Sequence, residues 1–227
     1  MDKSCPLCCH HTTYFFYRDA YRSYRRCPNC ALIFVARADL LPPSEEKARY
    51  DLHENDPNDP GYRKFLSQLT VPLLTRLGPT PQHGLDFGSG PGPTLSIILQ
   101  EQGHTVDLYD PYYAPQRQTL EMKYDFVTCS EAIEHFYTLK TEWQLLVNLL
   151  KPGGWLGIMT KLIDDIDEFP HMHYIKDRTH VRFFSRATFR FLARKDNLAV
   201  EFIGDNVILM QKAKTEMLAH EDHKYAR

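Results

Sequence analysis

The chain has 227 residues, of which 43% are hydrophobic and 25% are charged, and its formal net charge is -2 at pH 7. This composition is typical of an ordinary folded protein and provides no overall attraction to nucleic acid or to an anionic membrane surface. No run approaches the ~18 apolar residues of a membrane span and the first residues lack a signal-like apolar core, so we expect a cytoplasmic protein without a membrane partner.

The first 37 residues contain most of the cysteines. Five of the six lie within the first 30 residues, and four of them form two CxxC pairs separated by 18 residues. A reducing compartment disfavours structural disulfides, and this spacing is typical of a four-thiolate zinc site. We therefore predict a zinc-ribbon-like module over residues 1–37, with one structural Zn2+ bound by Cys5, Cys8, Cys27 and Cys30.

Between the two CxxC pairs, the segment YFFYRDAYRSYRR interleaves tyrosines with arginines. Such alternation can bind single-stranded RNA through phosphate contacts and base stacking. It is also typical of a ribbon hairpin whose aromatic side chains cover the metal site while its arginines stay in solvent, and we favour this second interpretation.

Residues 38–79 are predicted to form a linker and a helical segment. Ser44 is expected to cap a short helix that has Glu45 and Glu46 in its first turn. A longer helix is predicted within residues 60–78, bent at Pro72 and ended by the Gly-Pro pair at 78 and 79.

From residue 80 to residue 212, short apolar strands alternate with helical segments. This order predicts a doubly wound α/β domain with a mostly parallel sheet. Strands are predicted at 84–87, 105–109, 126–129 and 155–159, and a closing hairpin at 199–203 and 207–211. Helices are predicted at 94–102, 142–150 and 186–195, the last capped by Ser185. Residues 213–227 form a polar tail.

A glycine-rich loop joins the first strand of this domain to its first helix, in the stretch GLDFGSGPGPTLSIIL at 84–99. A dinucleotide fingerprint that starts at Gly88 would need glycine at position 93, which is Pro93. A phosphate-binding P-loop would need a lysine after the last glycine, and none follows. The pattern that remains is DxGxGxG, and NAD and nucleoside triphosphates are disfavoured as ligands.

With the motifs that follow it, this loop resembles that of the class I S-adenosylmethionine-dependent methyltransferases. The resemblance covers residues 80–212 and includes, in order, DxGxGxG, VDLYDP, YDFVTCSEAIEHF and LLKPGGWLGIM. It implies a Rossmann-like methyltransferase fold that binds S-adenosylmethionine at the carboxyl ends of its first strands. The implied cofactor-binding residues are Asp86, Gly88, Ser89, Gly90, Gly92, Asp110, Pro111, Ser130 and Glu131.

Two of these carboxylates have distinct expected tasks. Asp86 is the candidate to stabilise the positive charge of the cofactor. Asp110 is placed to accept hydrogen bonds from both ribose hydroxyls. Only 13 residues separate Asp110 from Tyr124, whereas the family places a helix and a third strand in this interval. We therefore expect a shortened third-strand region, with residues 111–123 as a loop.

The resemblance implies transfer of a methyl group to an acceptor by in-line displacement, in which positioning supplies much of the catalysis. His135, His173 and His180 are candidates to remove the acceptor's proton, because imidazole titrates near neutrality. RNA, protein and small molecules all stay open as acceptors, and the sequence does not indicate an oligomeric state. The alternative is a non-catalytic protein of the same fold that binds a nucleoside ligand and holds a protein or RNA partner with its zinc module.

Overall fold

The computed structural model describes residues 4–51 and 55–214. Strands and α-helices in these ranges are β1 (Tyr14–Arg18), β2 (Ser23–Arg26), β3 (Ile33–Val35), α1 (Pro43–Tyr50), α2 (Pro60–Leu77), β4 (His83–Phe87), α3 (Thr94–Glu101), β5 (Thr105–Tyr109), β6 (Tyr124–Ser130), α4 (Leu139–Leu149), β7 (Leu150–Met159), β8 (Arg182–Phe183), α5 (Arg186–Asp196), β9 (Leu198–Ile203) and β10 (Val207–Lys212). The predicted polar tail lies outside the described residues from position 215 onward.

A six-stranded sheet in the order β5-β4-β6-β7-β10-β9 forms the centre of the molecule. The first four strands are parallel, and β10 pairs antiparallel with both β7 and β9. The predicted doubly wound, mostly parallel sheet is therefore confirmed. The hairpin of β9 and β10 adds the antiparallel edge, since two strands joined by a short turn must run in opposite directions.

Helices cover both faces of this sheet. On one face, α2 and α3 bury Leu69 and Leu99 against Phe126 of β6. On the other, α4 and α5 bury Leu146 and Phe189 in the cluster that also contains side chains of β6 such as Val127. Because successive side chains of a strand point to opposite faces, neighbouring residues of β6 enter different cores.

Beyond β5 the sheet has no further neighbour among the described strands, so β5 is its edge. The interval from 110 to 123 contains a bridge between Asp110 and Ala114 and a 3-10 helix at Arg117–Glu121. The shortened third-strand region is thus present as predicted, although part of the expected loop is a short helical turn.

A second, four-stranded antiparallel sheet has the order β1-β2-β3-β8. Its last strand comes from the C-terminal half of the chain, where Phe183 pairs with Ile33 and Arg182 with Phe34. Buried residues of the cysteine segment, among them Leu32, belong to the same hydrophobic cluster as one face of the central sheet. The domain boundaries at 37, 79 and 212 stay predictions.

Several element boundaries differ from those predicted. Helix α1 begins at Pro43 and its N-cap is Pro42, so the prediction that Ser44 caps it is wrong; a proline with its fixed φ starts the helix instead. Strand β7 begins at Leu150, because Leu150 pairs with Tyr124 of β6; the segment KPGG, in which Gly153 has a left-handed φ of 79°, does not break the strand. None of the described helices is both long and apolar enough to cross a membrane.

Candidate functional site

The glycine loop after β4 is held tightly by the rest of the chain. The Gly88 N–H donates to the Tyr109 carbonyl at 2.7 Å, and Gly88 has a φ of 79°. A Cβ atom on Gly88 would lie 2.6 Å from the Cβ of Ala132, and one on Gly92 would lie 2.0 Å from the carbonyl oxygen of Asn55. These two glycines therefore allow close packing of the protein's own backbone around the loop.

Asp86 lies on β4 just before this loop and is 3% exposed. Its Oδ1 accepts a hydrogen bond of 2.8 Å from the Thr128 hydroxyl. Burial raises the pKa of Asp86 to about 6, against the opposing effect of the Thr128 bond, and the charge of Asp110 adds to the increase. A positive charge brought to this place would favour the ionised carboxylate.

Asp110, at the end of β5, ties the glycine loop to the turn that follows. Its Oδ2 accepts from the Gly90 N–H at 3.1 Å, and its Oδ1 accepts from the N–H groups of Tyr112 and Tyr113 at 2.8 and 3.0 Å. Pro111 lies inside this turn. A carboxylate has about four acceptor positions, so Asp110 keeps some capacity for a further donor.

Three hydroxyl groups close to this loop are buried and have no hydrogen-bond partner among the described residues. They are Ser89 Oγ in the loop, Thr94 Oγ1 at the start of α3 and Ser130 Oγ at the end of β6. A buried hydroxyl without a partner costs roughly 1–3 kcal/mol, so native proteins seldom keep one. Three such groups, in the loop after β4, at the start of α3 and at the end of β6, fit a bound polar ligand that supplies their partners.

A cavity of about 450 Å³ opens next to this region, at the carboxyl ends of β6 and β7. Its lining residues are Phe65, Glu131, Lys161, Met172, His173, Tyr174 and Asn206. Glu131 has a left-handed φ of 48°, and desolvation together with the nearby Glu134 raises its pKa. Lys161 is paired with Asp205. Five of these residues were not predicted; the helical periodicity of α2 pointed to Phe65 only as a core residue.

The structure brings two of the three predicted histidines together and places the third elsewhere. His135 and His180 lie side by side with ring centroids 4.8 Å apart, and Glu134 completes a cluster with them. His173 is outside this cluster and lines the cavity. Burial lowers the pKa of His180, while the charge of Glu134 opposes that decrease. Sequence reasoning missed Glu134, although its place three residues after Glu131 and next to His135 was a usable signal.

Helix α1 lies over this histidine cluster. The Tyr50 ring meets that of His135 edge to face at 5.2 Å, and the Tyr50 hydroxyl donates to Glu46 at 2.7 Å. From the other side, the Tyr113 hydroxyl donates to Asp51 at 2.7 Å. The predicted linker thus contributes side chains to the region between β5 and β6.

The arginine- and tyrosine-rich hairpin supports the segment that carries His180. Arg22 is 1% exposed and donates hydrogen bonds to four backbone carbonyls, those of Ile175, Asp177, Arg178 and His180. The expectation that the arginines stay in solvent is therefore wrong for Arg22. Tyr24 is buried beside Phe169 and Phe183, whereas Tyr21 is exposed.

The four predicted metal-binding cysteines converge. The Sγ atoms of Cys5 and Cys30 are 3.6 Å apart, those of Cys8 and Cys27 are 3.5 Å apart, and all four lie within 4.8 Å of one another. Tetrahedral zinc with Zn–S bonds of ~2.3 Å needs sulfur atoms about 3.8 Å apart, so the donor set fits this ion. The two residues that follow the pairs, Cys9 and Ala31, both adopt a φ of 59° and donate N–H groups back to Cys5 and Cys27.

Comparison with known proteins points to one family. Residues 62–201, well over half of the chain, match the profile of a family described as a methyltransferase domain. The ubiquinone biosynthesis O-methyltransferase of Shewanella sp. (strain ANA-3) is 30% identical over 78 residues, which cover 34% of this chain and 33% of that protein. The match thus spans about a third of that relative's length.

Two solved structures from Burkholderia thailandensis share the fold. An O-methyltransferase family protein has a TM-score of 0.53 at 17% identity, over 75% of this chain and 63% of that chain. A 1,6-didemethyltoxoflavin-N1-methyltransferase, solved with 1,6-didemethyltoxoflavin and S-adenosylhomocysteine, has a TM-score of 0.54 at 18% identity, over 89% of this chain and 99% of that chain. From its profile match and its fold, this chain belongs to the methyltransferase-domain family.

Proposed function

We propose that this protein is an S-adenosylmethionine-dependent methyltransferase with a small-molecule acceptor. The observation that carries the proposal is the set of three buried hydroxyls without a partner among the described residues, those of Ser89, Thr94 and Ser130, together with the buried carboxyl group of Asp86. S-Adenosylmethionine offers hydroxyl, amino and carboxylate groups together with a positive charge. The relative solved with S-adenosylhomocysteine supports the same class of ligand.

In this proposal each predicted cofactor residue has a task. Asp86 stabilises the positive charge of the cofactor, and Asp110 uses its remaining acceptor capacity for the ribose. Gly88, Gly90 and Gly92 shape the loop, Pro111 fixes the turn after β5, and the hydroxyls of Ser89 and Ser130 bind polar groups of the ligand. Glu131 follows Ser130 in the chain and lines the cavity. The cofactor supplies a methyl group for in-line displacement by the acceptor.

The cavity supports a small molecule as acceptor, since its volume of about 450 Å³ falls in the range of small-ligand sites. Phe65 and Met172 offer apolar walls, and His173 and Asn206 offer polar groups. We propose an acceptor with an apolar, planar part and a nucleophilic oxygen or nitrogen, held with that atom near Glu131. Of the three predicted histidines, His173 is the one that lines the cavity, and we assign it the acceptor's proton.

The cysteine cluster is proposed to bind one structural zinc ion through Cys5, Cys8, Cys27 and Cys30. Its support is the fit of the four sulfur atoms to a closed tetrahedral site. The relatives give no support to the alternative in which the fold only binds a nucleoside ligand and a partner.

The test is calorimetric titration of the full chain with S-adenosylhomocysteine, followed by an acceptor screen with methyl-labelled cofactor. Ser130→Ala removes a buried hydroxyl that has no partner among the described residues, so we expect a melting temperature equal to or above that of the parent chain and about fivefold weaker binding. Ser67→Ala is the matched control, because this hydroxyl donates to the Lys64 carbonyl of its own helix. Failure of the folded protein to bind S-adenosylhomocysteine would refute the proposal.

A further inference from the structure

Beside the cavity, three side chains with metal-binding atoms converge from two separate parts of the chain. Glu134 and His135 belong to a 3-10 helix at Ile133–His135 that follows β6, and His180 belongs to the segment before β8. One donor atom from each lies within 4.8 Å of the other two. Two imidazoles and one carboxylate are a ligand set that divalent transition metals use in proteins, with further positions left open.

The two histidine rings are each oriented by a hydrogen bond at Nδ1. His135 Nδ1 is 3.1 Å from the carbonyl oxygen of Thr179, and His180 Nδ1 is 2.8 Å from that of Tyr174. A carbonyl oxygen only accepts hydrogen bonds, so each Nδ1 carries the hydrogen. In a neutral ring this leaves a lone pair on Nε2, and metal-binding histidines are oriented by this same kind of second bond.

Only one of the two oxygen atoms of the Glu134 carboxylate accepts a hydrogen bond from the described residues. Glu134 is fully buried, its Oε2 accepts a hydrogen bond of 2.9 Å from the Thr160 hydroxyl, and its Oε1 has no hydrogen-bond partner among the described residues. A buried carboxylate oxygen without a partner is costly, more so than a neutral group. A cation bound next to the two Nε2 atoms would supply the missing partner.

We propose that Glu134, His135 and His180 bind one divalent first-row transition metal ion, separate from the zinc of the cysteine cluster. The centroid of the Tyr174 ring lies 4.1 Å from that of His180, and Tyr174 also lines the cavity. Tyr174 therefore separates the proposed metal site from the cavity proposed to hold the acceptor. The open coordination positions take water or an oxygen atom. The site does not depend on methyl transfer, because its three protein ligands converge without a cofactor or an acceptor.

Mn2+ is the probe that separates the two metal sites, since thiolates select zinc, whereas a site with a carboxylate ligand and positions open to water suits Mn2+. The full chain, isolated with zinc in the cysteine cluster and without added cofactor, is titrated with Mn2+ and the free ion is measured by electron paramagnetic resonance. We expect about one bound ion, and affinity at least about tenfold lower in Glu134→Gln and His180→Gln. His171→Gln is the matched control, an exposed histidine outside the cluster, and it should bind Mn2+ like the parent chain.

A second measurement uses the unaltered protein and so does not depend on how the variants fold. In histidine-selective NMR spectra, less than one equivalent of Mn2+ should broaden the ring signals of His135 and His180 before those of His83 and His104. The proposal is overturned if the folded protein binds no Mn2+ at millimolar concentration. It is equally overturned if the two cluster variants bind as the parent does, or if broadening begins at other histidines.

Discussion

The carboxyl group of Asp86 is buried, and burial opposes its ionisation. Its folded-state pKa of about 6 exceeds the ordinary value of 3.8, so its contribution to stability is fully present below pH 3.8 and is lost as the pH rises through 6. We expect Asp86→Asn to increase the free energy of unfolding of the ligand-free protein by up to about 3 kcal/mol at pH 7, while weakening S-adenosylmethionine binding. Urea denaturation between pH 4 and pH 8 measures the first effect, and calorimetry the second. An equal difference at pH 4 and pH 7 would show that ionisation is not the cause.

Gly88 is expected to be sensitive for two separable reasons. Both Gly88 and Gly103 have a positive φ, but a side chain at 103 would meet nothing within 4 Å, whereas one at 88 would meet Ala132. Gly103→Ala therefore measures backbone strain alone, and we expect Gly88→Ala to lose a further 1–3 kcal/mol or so of stability through overpacking. Adding Ala132→Gly should recover most of that extra loss. Equal melting temperatures for the two single variants would contradict this explanation.

At the scale of elements, the turn between β1 and β2 holds the segment that contains His180. Arg22 satisfies four of that segment's carbonyl groups, and hydrogen bonds from a charged donor are among the stronger ones. We expect Arg22→Met to lower stability by at least about 3 kcal/mol and to speed hydrogen exchange in residues 173–180. Arg18→Met, on the exposed face of β1, is the control. Unchanged exchange in this segment would mean that the guanidinium does not hold it.

At the scale of the whole molecule, the cysteine segment and the α/β domain share one hydrophobic cluster and one strand of the smaller sheet. Loss of the proposed zinc ion should therefore destabilise the entire chain. We expect chelation, or a combined Cys5→Ser and Cys27→Ser change, to lower a single melting transition by roughly 5–12 °C, with loss of about one equivalent of zinc. Cys9→Ser, at an exposed position outside the cluster, should keep the metal. Two transitions, only one of them zinc-dependent, would show that the parts unfold independently.

Much of the central sheet follows from local patterns. Short apolar runs bounded by turn residues predicted β4, β5, β6 and the closing hairpin, because a strand buried on both faces has few polar positions. The start of β7 was missed, since a lysine, a proline and two glycines are typical of a turn and here continue a strand. That outcome depends on its pairing with β6 and not on its own residues.

Residue patterns alone predicted the fold class, the shortened third-strand region, the glycine loop and the four clustered cysteines. The loop, the shortened region and the cysteine pairs depend on residue spacing within short stretches, which fixes turn geometry and chain length. The fold class depends on the order of strands and helices along residues 80–212. The packing of segments distant in sequence brings His135 and His180 together at Glu134, whereas His173 lies apart in the cavity wall. It also decided that Arg22 supports a segment far along the chain and that α1 covers a histidine. These contacts join residues distant in sequence, and their geometry depends on how sheets and helices pack rather than on any local period.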